Sequence, residues 1–185
     1  MVLVTVIFVA APSTLFATPK DHIGEKIEDV ALQTLGGKPV QLLSFHTENV
    51  LVIAYTGVGC PIAQRYGHVL EKLRKRYAKK GVRFIGINAN PQDDAATIAK
   101  EAGELGITFP ILKDRNQALT RQLDAKTTTV AFVVDKNRVV RYRGMIDDQY
   151  ALGKQRSKPK NKYLNLAIKA VLNGSEPKTV RTAAP

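Results

Sequence analysis

The stretch "NVLVIAYTGVGCPIAQRY", residues 49–66, is the part of this chain that says most about its fold. Its first part is an apolar run of strand length, which is typical of a central strand covered on both faces. Pro61 then stands where a helix favours proline, at its first position. Apolar residues recur at helical spacing from there until Gly81, a residue type that often ends helices. The sequence therefore predicts a strand, a turn and a helix over residues 61–80.

Strand and helix patterns alternate on both sides of this stretch. Two short apolar runs around Gly36 and Gly37 predict a hairpin upstream. Downstream, the patterns predict a strand, a helix, a strand, a short helix, two strands joined by a turn at residues 136–137, and a last helix ending near Gly174. The predicted order β-β-β-α-β-α-β-α-β-β-α is typical of an α/β sandwich with a mixed sheet.

The charge of the chain is strongly positive, with 28 Lys and Arg against 16 Asp and Glu and a net charge of +12. Such an excess raises the question of nucleic-acid or membrane-surface binding. The basic residues concentrate in Glu71–Lys80 and Gly153–Lys162. The first run has the spacing of an amphipathic helix with a solvated face, and the second is typical of an exposed loop. No nucleic-acid-binding motif accompanies either run, so we expect no specific nucleic-acid partner.

The N-terminal segment Met1–Ala17 is apolar and carries no charged side chain. It resembles the apolar core of a secretory signal peptide and is short for a membrane span. The pattern predicts a leader at 1–17, a domain at 18–175 and a C-terminal tail at 176–185. The mature protein would be exported, periplasmic or extracellular, without a stable membrane span. The alternative is a buried first strand, since valine and isoleucine dominate the segment.

Cys60 is the only cysteine of the chain, which excludes an internal disulfide. It lies just past the predicted central strand, at or next to the N-cap of the following helix. Unpaired backbone N–H groups and the positive end of the helix dipole favour a thiolate there. In open α/β sheets, active sites also usually lie at the carboxyl ends of the strands. We therefore expect a functional thiol, and the alternative is a cysteine buried as a small hydrophobe.

Other polar residues give weaker signals. Asp147 and Asp148 could shape substrate contacts or cap a loop, and we expect the loop role. Arg65 could add positive charge near the cysteine. The three histidines lack metal-ligand spacing, and no phosphate-binding or dinucleotide-binding pattern appears, so we expect neither a metal nor a cofactor. The three histidines are His22, His46 and His68.

Several stretches together resemble the redoxin branch of the thioredoxin-like proteins, which includes alkyl hydroperoxide reductases and thiol-specific antioxidant proteins. They are "TGVGCPIAQRY", "KKGVRFIGINANPQDD", "FPILKD" and "TTTVAFVVDKNRVVRYRGMIDDQY". Within this group the chain is most similar to secreted proteins whose strand–helix junction reads Cys-Pro-x-Ala. The resemblance implies a three-layer α/β sandwich with a mixed central sheet flanked by helices and, here, an N-terminal β-hairpin extension. It also implies that Cys60 is redox-active, that Lys126–Val130 forms the loop facing it, and that Gly144 lies on the rim of the substrate face.

The sequence departs from the family pattern in three places. Ala63 stands where a dithiol protein has its resolving cysteine, so release of a mixed disulfide needs an outside thiol. The hydroxyl residue of a peroxiredoxin triad is displaced to Thr56, four residues before the cysteine. Thr129 takes the position of a cis-proline, and we expect a trans bond there because a non-proline cis bond costs ~3 kcal/mol.

The expected function is that of a thiol-dependent oxidoreductase or antioxidant protein. A single Cys60 thiolate would react with peroxides or disulfides, and an external thiol would regenerate it. One alternative is a weakened binding module that docks a partner through the face around Cys60, and another is a basic surface-binding protein in which the cysteine is incidental. The expected supporting or substrate-face positions are Thr56, Gly59, Pro61, Thr128, Thr129 and Gly144.

Overall fold

The computed structural model describes residues 22–46, 49–151 and 153–185. The leader predicted at 1–17 lies outside the described residues, and export stays a prediction. Within the described ranges, no helix is long and apolar enough to cross a membrane.

A seven-stranded mixed sheet forms the centre of the molecule. The strands are β1 (Ala31–Thr34), β2 (Pro39–Gln41), β3 (Val50–Tyr55), β4 (Val82–Asn88), β5 (Ile111–Lys113), β6 (Ala131–Asp135), β7 (Val140–Gly144), β8 (Tyr150–Ala151) and β9 (Lys154–Gln155). The strand order of the sheet is β2-β1-β5-β4-β3-β6-β7, and β8 and β9 form a small hairpin apart from it. The helices are α1 (Pro61–Tyr77), α2 (Ala95–Glu104), α3 (Ala118–Gln122) and α4 (Tyr163–Leu172), with 3-10 turns at Leu42–Phe45 and Ala78–Lys80.

Strand β3 is buried along its whole length, as its apolar sequence predicted. It pairs in parallel with β4 and antiparallel with β6. Because side chains alternate along a strand, residues 50, 52 and 54 pack into one core cluster and residues 51, 53 and 55 into the other. Helices α1 and α4 cover the first cluster, and α3 covers the second. The α/β sandwich with a mixed sheet is therefore confirmed.

The predicted N-terminal hairpin is confirmed. Strands β1 and β2 pair antiparallel, and β1 also pairs with β5, which joins the hairpin to the main sheet. Gly37 adopts a φ of 82° in the turn, where a side chain would be strained.

The sequence predicted an exposed loop at Gly153–Lys162. This prediction was wrong for the first residues of the segment. Residues 154–155 pair with Tyr150–Ala151 as the β8–β9 hairpin. The hairpin is fixed to α1, because the Tyr150 ring packs edge-on against the Tyr66 ring with centroids 5.3 Å apart. This contact joins two distant parts of the sequence, which no local pattern reports.

The segment after α4 returns to the free edge of β7. The Arg143 N–H donates to the Val180 carbonyl at 3.0 Å, and the Thr182 N–H donates to the Arg143 carbonyl at 3.1 Å. Ala184 packs against the second core cluster. Residues 180–184 therefore extend the sheet at the edge next to the candidate site.

Candidate active site at Cys60

Cys60 is the N-cap residue of α1, as predicted. It has an extended backbone (φ −74°, ψ 111°), and Pro61 follows at the start of the helix. The first helical bond runs from the Gln64 N–H to the Cys60 carbonyl at 3.0 Å. The side chain is half-buried. The sulfur therefore lies at the positive end of a 17-residue helix, where a negative charge is stabilised.

The turn before the cysteine is tightly packed. Gly59 has a φ of 70°, a conformation that suits glycine. A Cβ on Gly57 would lie 2.9 Å from both the Asn90 amide nitrogen and the Thr128 methyl group. Glycine at position 57 thus permits the close approach of the 126–130 loop.

Thr128 is the residue of that loop that contacts Cys60. Its hydroxyl donates to the Cys60 sulfur at 3.2 Å. The predicted placement of Lys126–Val130 opposite the cysteine is therefore confirmed. None of the described peptide bonds is cis, which agrees with the trans bond expected at Thr129.

An open groove of about 350 Å³ lies beside Cys60. Arg65 stands in its wall, with its guanidinium 5.3 Å from the centre of the Tyr150 ring and a hydrogen bond to the Gln155 side chain. The β8–β9 hairpin thus builds one side of the groove, and the first turn of α1 builds the other. The lining residues are Cys60, Pro61, Ile62, Arg65, Tyr150, Ala151, Gly153 and Gln155.

Two carboxylates hold the turn that leads to Cys60. The Val58 N–H donates to Asp93 at 2.9 Å, and the Gly59 N–H donates to Glu101 at 2.9 Å. Burial opposes ionisation of Asp93. Hydrogen bonds from Val58 and two asparagine amides, together with the charge of Lys113, outweigh this effect and hold the pKa of Asp93 below its usual value.

Lys113 supports this arrangement from inside the protein. It is 4% exposed, and its ammonium group donates to the Asn88 side chain at 2.8 Å and to the carbonyls of Asn90 and Asp93 at 2.6 and 2.8 Å. Desolvation lowers the pKa of Lys113, and the nearby Asp93 charge opposes that effect. A buried cation with three acceptors is well satisfied, so it fixes the loop after β4.

The redoxin family model matches residues 22–154 of the chain. This protein belongs to the redoxin family. The thiol-disulfide oxidoreductase ResA of Geobacillus thermodenitrificans is 25% identical over 115 residues, which are 62% of this chain and 64% of that protein. The chain therefore matches less than two thirds of the length of that relative.

Two solved structures resemble this redoxin over most of its length. An uncharacterized conserved protein from Geobacillus kaustophilus is 28% identical with a TM-score of 0.78, covering 90% of this chain and 89% of that chain. A hypothetical protein from Sinorhizobium meliloti is 28% identical with a TM-score of 0.77, covering 88% of this chain and 90% of that chain. A thioredoxin-like protein from Aeropyrum pernix is 18% identical with a TM-score of 0.56, covering 68% of this chain and 84% of that chain, and this likeness confirms the thioredoxin-like fold.

Some of the predicted site residues lie next to Cys60, and others are buried away from it. Gly59, Pro61 and Thr128 adjoin Cys60. Thr56 continues the sheet, and its N–H donates to the Ile87 carbonyl at 2.8 Å. Thr56, four residues before the cysteine, thus lies where the strand pairing ends.

Thr129 and Gly144 lie beneath residues 182–185 instead of on an open rim. Thr129 is 3% exposed, and its hydroxyl donates to the Pro185 carbonyl at 3.2 Å. Gly144 is buried against Thr182, whose hydroxyl accepts the Met145 N–H at 2.7 Å. A substrate reaches these two positions only if residues 182–185 move.

Asp147 and Asp148 cap loops, as expected. The Asp147 carboxylate accepts the Tyr66 hydroxyl at 2.8 Å. The Asp148 carboxylate accepts hydrogen bonds from the N–H groups of Lys160 and Asn161 at 2.7 and 2.9 Å. The bond from the Asn161 N–H is the largest of the effects that lower the pKa of Asp148. The described ranges contain no group of three side chains suited to a metal ion.

The contacts of Asp93 and Glu101 with the cysteine turn were not predicted from the sequence. The neighbouring Asp94 caps α2 by accepting the Thr97 N–H at 2.8 Å. Asp93 points back to the cysteine turn instead. No local spacing could have shown this, because Glu101 lies 42 residues from its partner Gly59.

Proposed function

We propose that this redoxin is a monothiol oxidoreductase in which the Cys60 thiolate attacks a disulfide or a peroxide and an external thiol regenerates it. The observation that carries the proposal is the hydrogen bond of 3.2 Å from the Thr128 hydroxyl to the Cys60 sulfur, made at a helix N-terminus beside an open groove. A hydroxyl donor and a helix dipole both stabilise a negative sulfur more than a neutral one. The thiolate is the reactive form of cysteine.

With a disulfide, the Cys60 thiolate attacks one sulfur and the disulfide bond breaks. One half leaves as a thiolate, and the other half stays bound to Cys60 as a mixed disulfide. An external thiolate then attacks the sulfur of the bound half. A new disulfide leaves, and the Cys60 thiolate returns with both electrons of the broken bond.

With a peroxide, the Cys60 thiolate attacks one oxygen and the O–O bond breaks. Cys60 becomes a sulfenic acid, and the other oxygen leaves as an alcohol or water after it takes up a proton. One external thiol condenses with the sulfenic acid to give a mixed disulfide and water. A second external thiol then releases Cys60.

The external thiol is required because the chain holds no second cysteine. Ala63, at the position of the resolving thiol in dithiol relatives, is 8% exposed on the buried side of α1. It offers no sulfur with which to release an adduct. Each cycle must therefore end on a thiol from outside the chain.

Turnover measurements test this proposal. Reduction of a small disulfide or peroxide by the redoxin should require an added thiol and should stop in Cys60→Ser. The Ser175→Ala variant is a control, because that exposed hydroxyl bonds only locally, to the Ala170 carbonyl at 3.0 Å. A Cys60 that stays unmodified under conditions that oxidise a control thiolate would favour the alternative, a binding module that docks a partner at this face.

A further inference from the structure

A second open groove, of about 250 Å³, lies along α1 beyond the groove beside Cys60. The first groove contacts α1 at residues 60–65, and the second contacts it at residues 68–76. Gln149 lines the second groove and its neighbour Tyr150 lines the first, so the two grooves adjoin. The second groove has an apolar lining, formed by Val69, Leu73, Ile146 and Pro159.

Four cationic side chains line these two grooves. All four are exposed, with Arg65, Lys72 and Arg76 on α1 and Lys162 just before α4. The α1 residues are spaced by seven and four positions, which places them on one face of the helix. Among the residues that the structure describes, none of the four forms an ion pair with a carboxylate. We call Arg65, Lys72, Arg76 and Lys162 the basic track.

The carboxylates near the basic track already have partners within the chain. Asp147 is 4% exposed, and its carboxylate accepts the Tyr66 hydroxyl at 2.8 Å and the Gln149 N–H at 2.9 Å. Asp148 accepts three N–H bonds from the segment before α4. Residues 153–162 add five lysines and arginines and no acid to this side of the molecule. Positive charge therefore predominates along the two grooves.

We infer that the basic track docks an acidic polypeptide segment that carries the disulfide or thiol exchanged with Cys60, an inference that rests on the proposed function. Carboxylate side chains complement the four cations, and apolar side chains between them fill the grooves. A nucleic acid would also pair with the cations, but its phosphates bring no apolar group into a groove. A lipid surface is broad, whereas the apolar side chains here line concave grooves. The combination of charge and apolar lining therefore favours a polypeptide.

Helix geometry sets how far from the reacting sulfur the acidic side chains should lie. At about 1.5 Å per residue, Lys72 lies about 18 Å and Arg76 about 24 Å along α1 from Cys60. An extended chain covers about 3.3 Å per residue. The acidic residues of the partner should therefore stand about five to seven residues from its cysteine.

Peptide disulfides test the inference. Each probe is a peptide of about 15 residues whose central cysteine is disulfide-bonded to mercaptoethanol, with glutamates, glutamines or lysines about five to seven residues away on both sides. The Cys60 thiolate attacks one sulfur, one half joins Cys60 and the other half leaves as a thiolate. Loss of unmodified protein in intact-protein mass spectrometry gives the rate constant.

The rates should follow the charge of the peptide. At low ionic strength the glutamate peptide should react about tenfold faster than the glutamine peptide, and the lysine peptide should react more slowly than either. In about 1 M salt, where the screening length is about 3 Å, the three rates should converge.

Substitutions separate the basic track from the net charge of the chain. Lys72→Gln/Arg76→Gln should lower the ratio of the glutamate rate to the glutamine rate about fourfold, about twofold for each exposed charge pair. Lys26→Gln/Lys136→Gln is the matched control and should keep the wild-type ratio. It removes the same charge at the opposite end of the sheet, where Lys26 bridges to Val139. An equal fall in this control would overturn the inference, because net charge alone would then set the rates.

The remaining outcomes are also distinguishable. Equal rates for the glutamate and glutamine peptides would overturn the inference and leave the proposed function standing. If the wild type, and not Lys72→Gln/Arg76→Gln, then bound a DNA duplex or phosphatidylserine vesicles, the basic track would belong to a nucleic acid or a membrane instead. A Cys60 that reacts with none of the peptides at any salt concentration would overturn the proposed function itself.

Discussion

Replacing Thr128 by valine removes the hydroxyl that donates to the Cys60 sulfur at 3.2 Å and keeps the side-chain volume nearly unchanged. A hydrogen bond to a charged group contributes about 1.5–3 kcal/mol, against about 0.5–1.5 kcal/mol for a neutral pair. Loss of the bond should therefore cost a negatively charged sulfur about 1 kcal/mol more than a neutral one. Since about 1.4 kcal/mol corresponds to a factor of ten, and loss of the donor also makes the remaining thiolate more nucleophilic, Thr128→Val should slow alkylation of Cys60 at pH 7 by about two- to threefold.

The assay is the second-order rate constant for iodoacetamide, followed by intact-protein mass spectrometry. Thr127→Val is the matched control, since it changes the same atoms one residue away. The Thr127 hydroxyl is buried and has no hydrogen-bond partner among the described residues. Alkylation of Thr128→Val at the wild-type rate, or an equal loss in Thr127→Val, would refute the role of the Thr128 hydroxyl.

Three further predictions concern stability. Thr127→Val should raise the free energy of unfolding by about 1 kcal/mol in urea titrations, because it removes a buried hydroxyl without a partner. Gly144→Ala should lower it by about 2 kcal/mol and speed proteolysis at residues 180–185, because the new Cβ would lie 2.6 Å from the Thr182 carbonyl at a φ of 144°. Burial opposes ionisation of Asp135, but hydrogen bonds from Val139 and Arg141 outweigh it and lower its pKa. The stability that this group contributes is therefore present above about pH 4, its unfolded value, and is lost as the pH falls through the folded value. Between pH 6 and pH 3, Asp135→Asn should lose less unfolding free energy than the wild type, and an equal loss would contradict the assignment.

The sequence predicted the parts of the fold that depend on local patterns. The apolar run of β3 and Pro61 together located the start of α1 and the N-cap position of Cys60. Gly81 was predicted to end that helix, and it does so with a φ of 69° after a 3-10 turn. These predictions are confirmed because hydrophobic periodicity and helix capping depend on residues that are close together in the sequence.

The surroundings of Cys60 depend on contacts between distant parts of the chain, and these were not predictable. The β8–β9 hairpin is short and polar, and it is placed by the packing of Tyr150 on Tyr66. Residues 180–184 have no strand pattern and are ordered by the open edge of β7. Glu101 has the sequence context of any helix carboxylate, and only the folded chain brings it to Gly59. Pairings of this kind follow from the tertiary structure, which local propensity does not encode.

The proposed function depends on a reactive Cys60 thiolate that cannot release its own adduct. Intact-protein mass spectrometry, after treatment with bis(2-hydroxyethyl) disulfide and removal of the reagent, measures this property. We expect one mercaptoethanol adduct per chain, located at Cys60, stable until an outside thiol is added and absent from Cys60→Ser. A wild-type chain that stays unmodified while N-acetylcysteinamide reacts, or an adduct that disappears without added thiol, would contradict it.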